Sequence, residues 1–188
     1  MGPELNSCIY LRACIDEALR MSPAAGAVPW REVKAGGYTV DGHFIPEGYD
    51  VGTGIYSIHH NSEYFPEPFE YRPERWLARN ENGELCEGKT PEIAQAREAW
   101  NPFSIGPRSC IGKGLAITEL MLSVSTVLAS FDLRVAQTED GKLGGGSATH
   151  VEPLRRREGE YQLWDHITGG KAGPVLQFKS VVSGEKAN

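Results

Sequence analysis

The sequence predicts a mainly α-helical fold with small β-sheets, of the α+β class, and three observations lead to this prediction. Apolar residues recur with helical spacing near the amino terminus. Short apolar runs separated by turns with glycine and proline follow, as is typical of strands. The longest apolar segment then lies over residues 112–131. At 188 residues the chain has the length of one domain, so residues 1–188 are expected to form a single unit.

The first expected element is an amphipathic helix over residues 4–21. Its apolar side chains follow the spacing i, i+3, i+4, i+7 and i+8, in the order Leu11, Cys14, Ile15, Ala18 and Leu19. Glu17 and Arg20 lie three residues apart on this helix, close enough to pair on one face. By itself such a pair is usually a solvated surface contact worth about 0.3–0.5 kcal/mol, so it does not identify a site.

The segment over residues 33–56 is expected to be a β-region. Two short runs, residues 37–40 and 43–45, flank an Asp-Gly dipeptide, which is the sequence signature of a tight hairpin. A further strand is expected within residues 49–56, and a short helix within residues 57–63.

Residues 64–100 are polar and carry prolines near their start, which predicts an irregular meander before the long apolar segment. Within it, residues 93–100 have the composition for a helical turn. Residues 112–131 are expected to form a buried helix. They are too interrupted for a membrane span, because Lys113, Glu119 and several hydroxyl residues fall within them.

The carboxyl-terminal region, residues 132–183, is expected to consist of β-hairpins. Residues 132–136 have the pattern of a strand that follows the long helix. Residues 161–163 and 175–182 are expected to pair with each other as a terminal hairpin.

Cys110 is the clearest candidate for chemistry. A thiol binds metal as the thiolate, and the surroundings of Cys110 favour that form. Gly106 and Gly112 allow main-chain N–H groups to converge on the sulfur, Arg108 supplies a positive charge, and the positive end of a helix lies nearby. The alternative is that a lone cysteine is a buried small hydrophobic residue, which is the usual case for a free thiol.

The segment around Cys110 has the pattern Phe-x-x-Gly-x-Arg-x-Cys-x-Gly. The matching residues are Phe103, Gly106, Arg108, Cys110 and Gly112. This pattern resembles the cysteine loop, here residues 101–112, of the cytochrome P-450 family. The resemblance implies that Cys110 is the axial ligand of the iron of haem b. It also implies that Phe103 shields the sulfur and that Arg108 pairs with a haem propionate.

A second motif supports the same resemblance. The run Tyr-Arg-Pro-Glu-Arg-Trp that ends at Trp76 is similar to the Pro-Glu-Arg-Phe motif of the family. The resemblance implies that Glu17, Arg20 and Arg75 form a buried salt-bridged triad that holds the cysteine loop, and that residues 112–131 form the helix on the proximal side of the haem. Such a network fixes geometry more than it adds stability.

Three further assignments by resemblance have open alternatives. Arg31 occupies a place where family members often have a second propionate-binding arginine, although a solvent-exposed role is equally compatible with the sequence. Ala25 and Val28 resemble the substrate-facing segment of the family, although small apolar residues also serve simply to pack.

By this resemblance the chain corresponds to an incomplete, carboxyl-terminal portion of the cytochrome P-450 fold, most similar to fungal members. The oxygen-activating distal helix is not recognised in the sequence, so no residue of this chain is assigned as catalytic. No signal peptide or membrane anchor is recognised either. The chain is therefore expected to be a truncated product or a fragment, inactive by itself.

The function implied is a haem-thiolate monooxygenase that hydroxylates or epoxidises an apolar small molecule with dioxygen. Electrons are expected from an NADPH-dependent reductase that docks on the proximal face. The parent protein is expected to be associated with the endoplasmic reticulum membrane. Two alternatives stay open: a non-catalytic haem-binding remnant, and an interaction module that needs the missing amino-terminal half.

Composition narrows the possible functions. A net charge of -6 and a pI near 5.4 argue against nucleic-acid binding. The four cysteines show no C-x-x-C spacing, which argues against a zinc ribbon and a disulfide framework.

Overall fold

The computed structural model describes residues 2–152, 155–158, 160–166 and 168–181. Its helices are α1 Pro3–Asn6, α2 Ile9–Met21, α3 Ile55–His59, α4 Pro91–Ala99 and α5 Lys113–Ser130. Its first strands are β1 Arg31–Glu32, β2 Tyr38–Val40, β3 His43–Ile45, β4 Asp50–Val51, β5 Ala78–Arg79 and β6 Leu85–Cys86. The remaining strands are β7 Phe131–Val135, β8 Trp164–His166, β9 Thr168–Gly170 and β10 Leu176–Ser180.

The amino-terminal helix is divided in two, where the sequence predicts one helix over residues 4–21. The break lies at Ser7 and Cys8, between α1 and α2. The Ser7 hydroxyl donates to the Glu4 carbonyl at 2.7 Å, and Cys8 has a non-helical ψ of 63°. Serine side chains compete in this way with helical hydrogen bonds, which explains why the helix ends and restarts.

The β-region contains the expected hairpin. Strands β2 and β3 pair antiparallel with Val40 opposite His43. Asp41 and Gly42 between them have φ values of 47° and 78°, as the two central residues of a type I′ turn require. The strand expected within residues 49–56 is wrong beyond Val51, because residues 52–54 have no regular structure and α3 begins at Ile55.

The meander before the cysteine loop is more regular than its composition predicts. It contains a 3-10 turn at Pro73–Trp76, the short β5–β6 pair and a full helix, α4. Thr90 caps α4, since its side chain accepts a hydrogen bond from the Ile93 N–H at 3.3 Å. Pro91 follows at the first helical position, so Thr90 and Pro91 together mark the start of a helix in the sequence.

The core lies on both sides of α2. One cluster consists of the buried residues Ala13, Phe65, Trp76, Ala96, Ala99 and Trp100. A second consists of Ile15, Ile117 and Met121 and joins α2 to α5. Phe103 of the cysteine loop packs against both clusters, so the loop begins on the core.

Helix α5 is less buried than the sequence predicts. Only Ile117 and Met121 are buried, whereas Leu115, Leu122 and Leu128 are 65%, 50% and 54% exposed. By length and composition alone α5 is apolar enough to cross a membrane, with a mean hydropathy of 1.2. Its hydroxyl and charged residues therefore do not exclude a span by themselves. One face of α5 packs against α2. A second face carries exposed leucines.

The terminal hairpin predicted from residues 161–163 and 175–182 is wrong. β10 pairs antiparallel with β7, placing Leu176 opposite Val135, while β8 pairs with β9. Phe131 and Phe178 meet edge to face at 5.7 Å across the β7–β10 pair, which favours this partner. Residues 182 and 183 of the predicted region lie outside the described residues.

The terminal region contacts α3 and the start of the meander through Glu160 and Arg157. The Tyr56 hydroxyl donates to a Glu160 carboxylate oxygen at 2.6 Å. The rings of Tyr56 and His60 stack at 3.9 Å, and the Arg157 guanidinium lies 3.4 Å from the centre of the Phe69 ring. Glu160 and Arg157 therefore hold this part of the terminal region against Tyr56 and Phe69.

Candidate functional site

The Glu17 carboxylate is the centre of a buried network. Its Oε1 accepts hydrogen bonds from Arg20 Nη2 at 2.9 Å and from Arg75 Nε at 3.0 Å, and also from the Arg72 main-chain N–H at 3.0 Å. Its Oε2 accepts from Arg20 Nε at 2.9 Å and from the Trp76 indole N–H at 3.0 Å. We call these residues, with Glu17, Arg20 and Arg75 at the centre, the Glu17 network. Every contact on this carboxylate is a donor, so it is held as an anion.

Every N–H donor of the Arg20 guanidinium forms a hydrogen bond. Besides its bonds to Glu17, its Nη1 donates to the carbonyls of His59 and Pro68, each at 2.7 Å, and its Nη2 donates to Glu70 O at 3.2 Å. A guanidinium has five N–H donors, and all of them have an acceptor here. The side chain is fully buried, and this complete pairing explains how the charge is tolerated.

Arg75 joins the same network from the 3-10 turn. Its Nε bonds to Glu17, while Nη1 donates to Pro66 O at 2.9 Å and Nη2 to Glu67 O at 3.3 Å. Its side chain is only 5% exposed. The structure therefore brings together the three residues that the two separated motifs assign to one triad.

The electrostatic balance of Glu17 follows from these contacts. Burial by itself would raise the pKa of the Glu17 carboxyl. The hydrogen bonds and charge of Arg20, the Arg72 N–H and the charge of Arg75 outweigh burial and hold the pKa below its usual value. The carboxylate is thus a fixed counter-charge and not a proton carrier near neutral pH.

A second network, around the buried Asp16, lies beside the first and has no counterpart in the sequence predictions. Asp16, fully buried, accepts from Arg12 Nε at 2.9 Å and from Arg97 Nη1 at 2.6 Å. The Arg97 guanidinium also lies 4.7 Å from the centre of the Trp76 ring. The spacing of Arg12 and Asp16 on one helix is a local signal that a sequence can show. Arg97 is 81 residues away and gives none.

The cysteine loop is closed by main-chain hydrogen bonds. The Cys110 N–H donates to Phe103 O at 2.8 Å, and a 3-10 turn spans Gly106–Arg108 between them. Gly106 has a φ of 72°, a conformation that favours glycine. Helix α5 begins directly after Gly112, where an added Cβ would lie 3.8 Å from Cys110 Sγ. The loop thus presents its thiol beside the amino-terminal end of α5.

The Cys110 thiol is free and exposed, as is the Arg108 side chain two residues before it. Among the described residues, Arg108 has no side-chain hydrogen bond or ion pair. Phe103 is half-buried and meets the Trp100 ring edge to face at 6.4 Å. It therefore fixes the first part of the loop on the core.

Cys110 is the residue of this site that could bind a metal ion or a metal-containing cofactor. No cluster of three or more His, Cys, Asp or Glu side chains that could hold a metal ion occurs in the described part of the chain. A lone thiolate suits a group that brings its other ligands with it, as an iron porphyrin does. Ile105 and Ile111 of the same loop are 70% and 105% exposed, so the loop carries exposed apolar surface. These residues fit a haem.

The other predicted site residues lie elsewhere. Arg31 is exposed, and its Nη1 donates to the nearby carbonyls of Pro29 and Trp30 at 3.1 and 2.8 Å. Ala25 is exposed, and Val28 packs closely over Gly52. Their neighbours Gly26 and Ala27 line a cavity of about 320 Å³ together with Tyr56 and Gly169, but Ala25 and Val28 are not among its lining residues.

The chain is similar to known proteins over nearly its whole length. The family model described as Cytochrome P-450 matches residues 3–147. A cytochrome P-450 monooxygenase of Gibberella zeae is 49% identical over 179 residues, which cover 95% of this chain and 38% of that protein. Cytochrome P-450 monooxygenase apf8 of Gibberella fujikuroi is 50% identical over 183 residues, which cover 95% and 45%. The chain spans less than half the length of these curated relatives.

Solved structures agree on the fold. A crystal structure of the cytochrome P-450 CYP102L1 superposes with a TM-score of 0.64 at 21% identity, covering 94% of this chain and 33% of that one. The retinoic acid-bound cyanobacterial CYP120A1 gives a TM-score of 0.66 at 21% identity, covering 96% and 35%. The arrangement of helices and small sheets is thus a partial version of this fold.

Proposed function

The chain belongs to the cytochrome P-450 family, and from that membership we propose that it is the cysteine-bearing part of a haem-thiolate monooxygenase. In the proposed reaction one oxygen atom of dioxygen enters an apolar small molecule, as a hydroxyl or an epoxide. The other oxygen leaves as water, with electrons from an NADPH-dependent reductase. The observation that carries this proposal is the position of an exposed, free Cys110 on a loop fixed to the core.

Cys110 Sγ would hold the iron of haem b, and Arg108 would bind a propionate. The absence of hydrogen bonds to Arg108 among the described residues leaves its guanidinium available for a carboxylate. Arg31 is proposed as a second propionate ligand, which requires its guanidinium to leave the carbonyls of Pro29 and Trp30. When bound, haem would supply the oxygen-activating redox chemistry, and the Cys110 thiolate would tune it as the iron ligand.

The residues of this chain would set geometry. Gly106 allows the turn that closes the loop, and Gly112 stands next to the sulfur at the start of α5. Phe103 is proposed to exclude water from the thiolate side while it packs on the core. The Glu17 network fixes α2 and the meander on which the loop rests, and so keeps the sulfur at one position.

Partners are proposed from charge and exposure. Arg108 and Lys113 give the proximal face a local positive charge that suits an acidic reductase surface. The substrate is proposed to be apolar and to approach the segment that contains Ala25 and Val28. The full-length parent is proposed to be held at the endoplasmic reticulum membrane. Nucleic acid is not a proposed partner, given the net charge of -6.

This chain alone is proposed not to sustain monooxygenation. The open apolar face of α5 supports this, because Leu115, Leu122 and Leu128 leave a surface that a fuller fold would cover. The same observation favours one of the two alternatives, an interaction module that needs an amino-terminal half of the fold to cover this face. The other alternative is a non-catalytic haem-binding remnant.

The first experiment is a carbon monoxide difference spectrum of the haemin-reconstituted, reduced chain. Cys110→Ser tests the ligand, and Cys8→Ser is the matched control because Cys8 is another exposed, free thiol. We expect the red-shifted Soret band of a thiolate complex in the wild type and the control but not in Cys110→Ser. A band that survives in Cys110→Ser would refute the assignment of the ligand.

A further inference from the structure

His59 is a buried side chain with a partner at each ring nitrogen. Its Nδ1 lies 3.1 Å from the Arg20 carbonyl oxygen, and its Nε2 lies 3.0 Å from the Asn101 main-chain nitrogen. The Asn101 N–H can only donate, so Nε2 must accept. Nδ1 must then carry the proton and donate to Arg20 O. The two partners select a neutral imidazole in a single tautomer.

These partners belong to the two parts of the proposed haem site. Arg20 is the buried cation of the Glu17 network, and its Nη1 donates back to His59 O at 2.7 Å, so the contact between Arg20 and His59 is reciprocal. Asn101 is the first residue of the cysteine loop. Its carbonyl accepts from Ser104 N at 2.8 Å, and the loop closes when Cys110 N donates to Phe103 O. His59 therefore bridges the network and the first turn of the loop.

We infer that His59 is a positioning residue that sets the cysteine loop relative to α2 through its two ring nitrogens. This inference rests on the proposed function, since it concerns the loop that would hold the haem. Its role is distinct from that of Glu17, Arg20 and Arg75, which fix the meander and α2. His59 instead reaches the loop itself, through the main chain of Asn101.

The competing explanation is that His59 only fills space. Its ring meets Phe65 edge to face at 6.1 Å, and a hydrophobic residue could occupy the same volume. The two explanations differ in what happens to the Asn101 N–H. If that N–H loses its acceptor, the start of the loop loses a hydrogen bond inside the protein. The Asn101 side-chain oxygen already has no partner among the described residues, so the N–H is the better anchor.

Three variants separate these explanations. His59→Gln offers an amide oxygen near the position of Nε2 and keeps an acceptor for Asn101. His59→Asn is shorter and offers an amide donor near the position of Nδ1, so it keeps only the bond to Arg20 O. His59→Phe keeps the ring and neither bond. The readout is hydrogen exchange at the Asn101 and Cys110 amides of the haem-free chain, compared with the free energy of unfolding of each variant.

We expect His59→Gln to keep the protection of both amides close to the wild-type value. In His59→Asn and His59→Phe the exchange of these amides should rise by about tenfold beyond any change in global unfolding. The positioning role would be refuted if His59→Phe protected the loop as well as the wild type. Equal loss of protection in the Gln and Asn variants would refute it too.

A measurement on the wild-type chain covers the case in which the variants do not fold. Nitrogen-15 chemical shifts of His59 should show a protonated Nδ1 and an unprotonated Nε2 at neutral pH. The opposite tautomer or a charged ring would overturn the inference. Neither measurement requires haem, so a failure of Cys110 to bind haem and a failure of His59 to position the loop give separate results.

Discussion

The indole N–H of Trp100 donates to the main-chain oxygen of Asp16 at 3.0 Å, inside the protein. Trp100 is the last residue before the cysteine loop, and Asp16 stands directly before Glu17 on α2. The helix that carries the Glu17 network therefore also holds the chain at the point where the loop begins. Displacement of α2 would move both parts together.

Replacement of Trp100 by phenylalanine tests that contact. The Trp100→Phe variant keeps an aromatic ring against Trp76 and Phe103 but leaves Asp16 O without its donor. We expect the free energy of unfolding to fall by about 1–3 kcal/mol, measured by urea denaturation followed by far-UV circular dichroism. Trp30→Phe is the control, since Trp30 is 61% exposed. An equal effect in both variants would show that the buried bond contributes nothing of its own.

Removal of the charge on Glu17 should be more severe. In Glu17→Gln two buried guanidinium groups lose their shared counter-charge, and the amide cannot accept at both of its side-chain atoms. We expect a loss of about 3–5 kcal/mol in the free energy of unfolding, by the same measurement. Glu119→Gln on the exposed face of α5 should change it little. Wild-type stability of Glu17→Gln would contradict the central role of this carboxylate.

The coupling free energy between Asp16 and Arg97 in the second network can be measured with a double-mutant cycle. Asp16→Asn, Arg97→Gln and the double variant isolate the coupling between the two side chains. The Arg97 side chain is 39% exposed, so solvent screening should limit the coupling to about 1–2 kcal/mol. A matched cycle on the exposed pair Lys34 and Glu32 should give a smaller coupling. A coupling near zero at Asp16 and Arg97 would exclude a stabilising ion pair.

How much of this site the sequence could predict depends on whether a recognisable motif marks the partners. The Glu17, Arg20 and Arg75 triad is predictable because two motifs mark it, although its members lie up to 58 residues apart. Arg97 and His59 carry no motif, and their roles depend on which main-chain atoms the fold brings beside them. A histidine at the end of a short helix gives no signal that its partners are Arg20 O and Asn101 N.

The fold, like the site, could be predicted only where the local sequence determines the structure. The Asp41-Gly42 turn was predictable because local backbone geometry determines it. The pairing of β7 with β10 was not, since an apolar strand pattern does not specify its partner and the edge-to-face contact of Phe131 with Phe178 forms only after the strands meet. The exposed face of α5 was also not predictable, because an apolar sequence predicts burial whether or not a covering surface is present.

Acid should destabilise the chain through His59. Burial lowers the pKa of His59 from 6.5 to about 4, with the charge of Arg20 and the neighbouring His60 acting in the same direction. Between these values the unfolded chain binds a proton that the folded chain does not, so the free energy of unfolding falls as the pH falls. Between about pH 7 and pH 5 the wild type should lose about 2 kcal/mol more than His59→Gln, measured by urea denaturation. Parallel pH profiles would show that residue 59 does not contribute.

The two glycines of the cysteine loop should respond differently to alanine. Gly106→Ala forces a Cβ onto a φ of 72°, although an added Cβ would have open space around it. We expect a loss of about 1–2 kcal/mol from backbone strain alone, seen as a lower unfolding midpoint in urea. Gly112 has a φ of -83°, so Gly112→Ala should leave stability nearly unchanged. A larger loss of stability in Gly112→Ala than in Gly106→Ala would contradict the prediction that the backbone requires glycine at residue 106.

The arginines of the Glu17 network bind main-chain oxygens, and this has a consequence for how the meander tolerates change. Arg20 and Arg75 contact the carbonyls of residues 59, 66, 67, 68 and 70, and those atoms are present whatever side chains the residues carry. Substitutions at residues 66, 67, 68 and 70 leave these acceptors in place. A one-residue insertion or deletion would shift these acceptors out of register, so the network depends on the length of this stretch, while the side chains that matter within it are those of His59 and Phe65.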